Sequence, residues 1–174
     1  MVRGAVADDL ALVTAIYRHH VLAGTASFEL EPPDEGEIAR RHGEIAGRGC
    51  PYLVAELDGT VAGFAYAAPF RPRPAYRHTV EDSVYVAPNL QGLGIGRALL
   101  AELIARSAAM GMRQMLAAIG DGANAGSIAL HAALGFDHAG TLRSVGFKHG
   151  GWRDVVLMQR ALGEGDKTAP DRRS

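Results

Sequence analysis

The sequence predicts one α/β domain, and three observations carry that reading. Tyr52 to Leu57 and Thr60 to Ala68 are two strand-like runs about a two-residue Asp58-Gly59 turn, the strongest hairpin signal in the chain. Ser83 to Val86 is a β-branched and aromatic run; a long apolar-periodic segment and a second strand-like run, Met112 to Ile119, follow it. Such a strand-helix-strand unit crosses over into a parallel pair. The 174 residues suffice for one full core, and 48% hydrophobic against 21% charged is the balance of a globular domain.

Taken in order, Val2 to Val6 has alternating character, a weak signal of a first strand. Asp8 and Asp9 precede Leu10, Val13, Ile16, Tyr17 and Val21, whose three- and four-residue spacing marks a helix face that Gly24 ends. Thr25 to Pro33 has no helical pattern, and its large aromatic, Phe28, either anchors the loop to the core or walls a pocket. Asp34 to Gly47 is predicted as a second, polar helix after Pro32-Pro33. Beyond the hairpin, Pro69, Pro72 and Pro74 exclude a central strand, so Arg71, Arg73 and Tyr76 lie on a constrained loop. Those arginines are either solvated charges or a paired-donor site for an anionic substrate.

Pro88-Asn89 ends the Ser83 strand. Ile95, Leu99, Leu100, Leu103 and Ile104 give the next helix its buried face up to Gly111. A loop is predicted over 120–126, a short helix over Ser127 to Leu134, stopped by Gly135-Phe136, and two last strands over 137–147 and 152–160. The domain is expected to span residues 1–162; Gly163 to Ser174, polar with Gly and Pro, reads as a disordered tail.

Between strand and helix, Gln91-Gly92-Leu93-Gly94-Ile95-Gly96-Arg97 places glycine on alternate positions at a helix mouth. Backbone there approaches a ligand closely, and the unpaired first N–H groups with the positive end of the helix dipole suit a pyrophosphate. A dinucleotide fingerprint requires glycine where Arg97 stands, and a P-loop requires Gly-Lys-Ser/Thr, which is absent.

Composition excludes other classes. A net charge of −1 with interspersed signs offers no basic stripe for nucleic acid. No apolar run has the length of a membrane span, and the first residues lack a signal-peptide core, so a cytoplasmic location is expected. Cys50 is the lone cysteine and forms no internal disulfide; no His, Asp or Glu spacing suggests a metal site. His19, His20 and His42 fall in predicted surface helices.

Asn124-x-x-Ser127-x-x-x-His131-x-x-x-Gly135-Phe136 is the companion of the glycine loop. With Thr79 to Val86 and Gly140 to Val155, the two motifs give a chain that resembles the phosphinothricin and methionine sulfoximine N-acetyltransferases of the GNAT superfamily, from about residue 2 to residue 162. Where that pattern commonly has tyrosine, this chain has His131.

The resemblance implies a mixed, strongly twisted central sheet flanked by helices, a homodimer, and acetyl-CoA held between the glycine-loop strand and the next. By the same match Val84, Tyr85 and Val86 pair with pantetheine; Gln91, Gly92, Leu93, Gly94, Ile95, Gly96 and Arg97 hold the pyrophosphate; and Asn124, with Ser127, fixes the pantetheine arm. Arg71, Arg73 and Tyr76 take the acceptor's oxygens, Phe28, Gly120 and Val155 shape its walls, and Glu81, Asp82 and Ser83 border it. Lys148, His149 and Trp152 read as structural or interface residues first.

Acyl transfer from a thioester needs a neutral amine, a stabilised oxyanion and a proton for the thiolate. Neighbours on a strand face opposite ways, so only one of Glu81 and Asp82 faces the cleft, and spacing alone leaves both open as base. The resemblance selects Glu81. His131 either orients the substrate or donates the thiolate proton. The expected activity is N-acetylation of a small amino acid analogue. The alternatives are another small amine or a peptide terminus as acceptor, and a non-catalytic acyl-CoA sensor.

Overall fold

Asp58 and Gly59 adopt φ of 49° and 76°, as a type I′ turn requires, and join strands Tyr52–Leu57 and Thr60–Pro69. The computed structural model describes residues 1–121 and 124–170. Among them the strands are β1 (Val2–Gly4), β2 (Tyr52–Leu57), β3 (Thr60–Pro69), β4 (Thr79–Val86), β5 (Gln114–Gly120), β6 (Asp137–Lys148) and β7 (Gly151–Ala161). The helices are α1 (Leu10–Ala23), α2 (Glu35–Gly47), α3 (Ile95–Ala109) and α4 (Ala125–Ala133).

One mixed sheet results, in the order β1-β2-β3-β4-β5-β7-β6. Its two flanks are antiparallel, and the β4–β5 pair is the parallel one predicted for the crossover through α3. That pairing runs only from Thr79–Gln114 to Asp82–Ala117. Beyond it Ser83 to Val86 stay on β3 while β5 continues along β7, so the sheet forks. β4 thus begins four residues before the predicted Ser83, because Val80 to Asp82 find ladder partners on both sides and Thr79 pairs with Gln114 of β5.

Alternation along the strands builds two cores. On one face Leu53, Ala65, Ala67, Val80 and Met115 pack under Leu99, Leu100 and Leu103 of α3. On the other, Tyr52, Val54, Phe64 and Tyr85 pack under Val13, Ile16, Tyr17 and Val21 of α1 and Ile38 of α2. Asp34 caps α2, its side chain accepting the Glu37 N–H at 2.8 Å. Arg3 ties β1 to the start of α1, its guanidinium donating to Asp9 at 2.7 and 2.8 Å and to Glu56 at 2.7 Å.

At the carboxyl end, residues 163–170 form turns held to the body: Arg113 donates to the Gly165 carbonyl, the Thr168 hydroxyl and the Ala169 carbonyl. The rest of the expected tail, 171–174, lies outside the described residues, as do positions 122 and 123 of the loop predicted over 120–126. No helix among the described residues is long and apolar enough to cross a membrane.

Candidate active site

The fork between β4 and β5 opens a cleft of about 590 Å³, within the range of small-molecule sites. Of the residues singled out from sequence, it brings together Asp82, Ser83, Val84, Tyr85 and Val86 on β4 and Gln91, Gly92, Gly94, Ile95, Gly96 and Arg97 at the mouth of α3. Gly120 at the end of β5 and Asn124, Ser127 and His131 around α4 complete that set.

Backbone chemistry makes the cleft suitable for a pantetheine arm and a pyrophosphate. The Ala87 N–H donates to Ala62 on β3, so by strand alternation the N–H groups of Val84 and Val86 face away from β3, toward the fork. Gly92 and Gly94 have φ of 79° and 81°, which a side chain would strain, and a Cβ at either would meet open space. Ala98 N–H bonds the Gly94 carbonyl; the N–H groups ahead of it in α3 have no acceptor within the helix and face the loop. The donor set therefore fits an anionic, extended thioester carrier.

Asp82 and Glu81 point to opposite faces of β4, as alternation requires. Asp82 is buried against α4, its Oδ1 lying 3.1 Å from His131 Nε2. Burial raises its carboxyl above the ordinary range, against the pull of His131. Glu81 is half-buried on the opposite face and does not line the cleft; burial raises its pKa, the Asp82 charge adds to the rise, and Arg71 opposes it. Burial works to lower the His131 pKa, yet the bond to Asp82 reverses this and leaves it raised. Asn124 spends its Oδ1 on capping α4, accepting the Ser127 N–H at 3.2 Å.

The remaining predicted residues lie off the cleft. Leu93 is 64% exposed at the outer edge of the loop. Arg73 and Tyr76 are exposed around the short helical turn at Pro74–Tyr76; Tyr76 packs edge-on to Phe70, and Arg71 stacks over the same ring, 4.9 Å from its centroid. Val155 pairs with Gly120 and Leu142 in the sheet.

Phe28 sits in a slot between two glycines. A Cβ on Gly120 would come within 2.8 Å of its ring, and one on Gly146 within 2.2 Å. The loop around it is tied down by the Lys148 ammonium donating to the Ser27 carbonyl at 2.6 Å, by His149 donating to the Gly24 carbonyl at 3.2 Å, and by Tyr17 bonding Ser27 and Glu29 at 2.9 Å each. Burial lowers the Lys148 pKa. Gly146→Ala is expected to displace the ring and to lower stability by about 1–3 kcal/mol, an overpacking cost. A calorimetric melt should show a fall on the order of 5 °C; an unchanged melt would mean the ring has another place to go.

Sequence reading missed His20, which it assigned to a surface helix. His20 lines the cleft, and its Nε2–H donates to the Val86 carbonyl at 2.8 Å; burial lowers its pKa. It falls four residues after Ile16 and seven after Val13, so the apolar spacing of α1 already put it on the inner face. Thr25, Ala26, Ala118 and Leu130 also line the cleft.

Residues 13–136 match the model of the acetyltransferase (GNAT) family. The chain is 56% identical over 94% of its length to a phosphinothricin N-acetyltransferase of Alcaligenes faecalis, covering 83% of that protein. It is 39% identical to an L-methionine sulfoximine/L-methionine sulfone acetyltransferase of Salmonella typhimurium, with 98% of each chain covered. The crystal structure of a GNAT superfamily phosphinothricin acetyltransferase from Sinorhizobium meliloti in complex with AcCoA superposes with a TM-score of 0.97, at 52% identity, over 99% of this chain and 94% of that one. By sequence and by fold, the chain belongs to the acetyltransferase (GNAT) family of acetyl-CoA-dependent N-acetyltransferases.

Proposed function

We propose that this chain acetylates the amino group of a small amino acid analogue whose side chain ends in a tetrahedral, oxygen-bearing centre, of the phosphinothricin, methionine sulfoximine or methionine sulfone kind. The observation that carries this reading is the fork at Asp82–Ala117, with a half-buried carboxylate on one face of β4 and a buried His-Asp pair on the other. The names of the relatives given above support the class of acceptor.

In this reading the N–H groups of Val84 and Val86 and the loop from Gln91 to Arg97, Leu93 included, hold the donor, with Asn124 and Ser127 beside its pantetheine arm. Acetyl-CoA supplies an activated acyl carbon. Glu81, its pKa raised by burial, accepts the proton of the incoming ammonium through water; Arg71 opposes that rise and favours the charged carboxylate. The Val86 N–H, directed into the fork, donates to the oxyanion. His131 donates to the departing sulfur. Arg71, Arg73 and Tyr76 receive the acceptor's oxygens, Phe28, Gly120 and Val155 wall it, and Asp82 and Ser83 border it.

The assembly is read as a homodimer and its location as the cytoplasm. Leu142, Val145, Phe147 and Trp152 leave 47–66% of their surface exposed around β6 and β7, with Phe147 and Trp152 edge-to-face at 5.4 Å, a patch that a second copy would cover. Thiol release from acetyl-CoA, followed over a panel of amines, tests the function. Turnover of phosphinothricin and L-methionine sulfone above simple amines is the expected outcome. Turnover only of amines without a second anionic group would reject the arginine pocket, and turnover of none would leave a sensor.

A further inference from the structure

The His131 ring is fixed at both nitrogens, and this determines its charge. Nδ1 lies 2.7 Å from the Ser127 carbonyl, which can only accept, so Nδ1 carries a hydrogen. Nε2 lies 3.1 Å from Asp82 Oδ1, and the two side chains are 4% and 3% exposed. With Nδ1 already protonated, Nε2 bonds an ionised Asp82 only as imidazolium, or accepts from a protonated Asp82. Either way one proton lies between the two residues.

Three features bear on where that proton lies. His131 stands in the last turn of α4, where the helix dipole favours a cation. Phe136 packs edge-on to the ring at 5.0 Å; the burial it adds works against the charge and is opposed by the bond to Asp82. Asp82 Oδ2 is buried with no hydrogen-bond partner among the described residues, so the carboxylate has no counter-charge but the ring. The other ionisable groups around the fork are Arg97 at the mouth of α3, Tyr85 on β4, Glu81 on the far face of β4, and His20, bonded to the Val86 carbonyl. β5 contributes only Ala117 opposite Asp82.

We propose that Asp82 is the positioning residue of the acyl transfer: it holds His131 as an imidazolium with Nε2–H at the fork, as the proton source for the sulfur that leaves. This rests on the acetyl transfer described above. The neutral amine nitrogen bonds the acyl carbon and releases its second proton to water; as the carbon–sulfur bond breaks, the N–H bond at Nε2 breaks and an S–H bond forms. The ring is left neutral, with Nδ1–H still on Ser127, and it regains a proton from water after the products leave. The 3.1 Å separation is an ordinary N–H···O distance, and the Nε2–H leaves Asp82 Oδ1 as it moves to the sulfur.

Asp82→Asn removes the charge and keeps the shape. In this variant kcat with L-methionine sulfone is expected to fall tenfold or more, and the fall of kcat toward alkaline pH to begin about one unit lower, because the unpaired buried ring loses its proton earlier. The KM for acetyl-CoA should hardly move. Nitrogen-15 NMR of the ring, which needs no turnover, should show imidazolium at pH 7 in the parent protein and a neutral Nδ1–H ring in the variant. A neutral ring in the parent at pH 7, or a variant whose kcat falls with its pH profile unmoved, would overturn the proposal. Should the variant not fold, the ring titration of the parent decides. Turnover of no amine by the parent would defeat the acceptor reading, while the ring measurement still decides the charge state.

Discussion

Glu81→Gln is expected to lower turnover of the acceptor by about 10²–10⁴-fold at neutral pH, the usual worth of a positioned general base. The pH dependence makes this specific. Burial, helped by the neighbouring Asp82, raises the Glu81 pKa, so parent activity should decline as pH falls through that raised value and the carboxylate protonates. Glutamine cannot titrate, and the decline on the acid side should vanish. At high pH, where a growing share of the amine is already neutral, the two proteins should converge. Acetyl-CoA affinity should remain close to the parent's, since that donor is proposed to lie on Val84, Val86 and the loop before α3 rather than on Glu81, which does not line the cleft. A variant that keeps the acid-side decline would remove Glu81 as the base.

Phe64→Ala should have the largest effect on stability. Phe64 is 1% exposed and centres an aromatic layer: its ring lies 5.1 Å from Tyr85, 6.0 Å from Tyr52 and 6.4 Å from Tyr66, all nearly parallel, with Tyr17 edge-on at 6.3 Å. Truncation removes the ring and leaves a void that four stiff neighbours cannot fill, at a cost of about 3–5 kcal/mol. For a chain of this length that is a drop in Tm on the order of 10 °C, measurable by calorimetry. Phe64→Leu, closer in volume, should cost under about 1.5 kcal/mol. Equal losses for both would show that the ring geometry matters more than the volume.

Much of the fold is legible in sequence because its signals are local. Asp58-Gly59 forces the hairpin turn, the glycines from Gly92 to Gly96 mark the mouth of α3, and apolar spacing marks α1 and α3. The parallel pair follows from the handedness of a crossover. The site is less legible wherever it depends on distant partners. Asp82 and His131 are 49 residues apart in the chain, and nothing in either segment announces their bond. Phe28 reads as a lone loop aromatic until Gly120 and Gly146 are seen to leave room on both sides of it. Lys148 reads as structural, but the partner that buries it, the Ser27 carbonyl 121 residues away, is not legible from its own segment. His20 is the instructive miss, since its charge-bearing ring suggested a surface that the helix period already denied.

The short seam between β4 and β5 has a mechanical meaning. Two antiparallel ribbons, one of four strands and one of three, are stitched by four residue pairs and a helix, so the right-handed twist between them sets how widely the gap beyond the last stitch opens. A molecule that threads the gap and bonds to its edge acts as a borrowed strand, and carries the ladder across a break that the chain itself does not bridge.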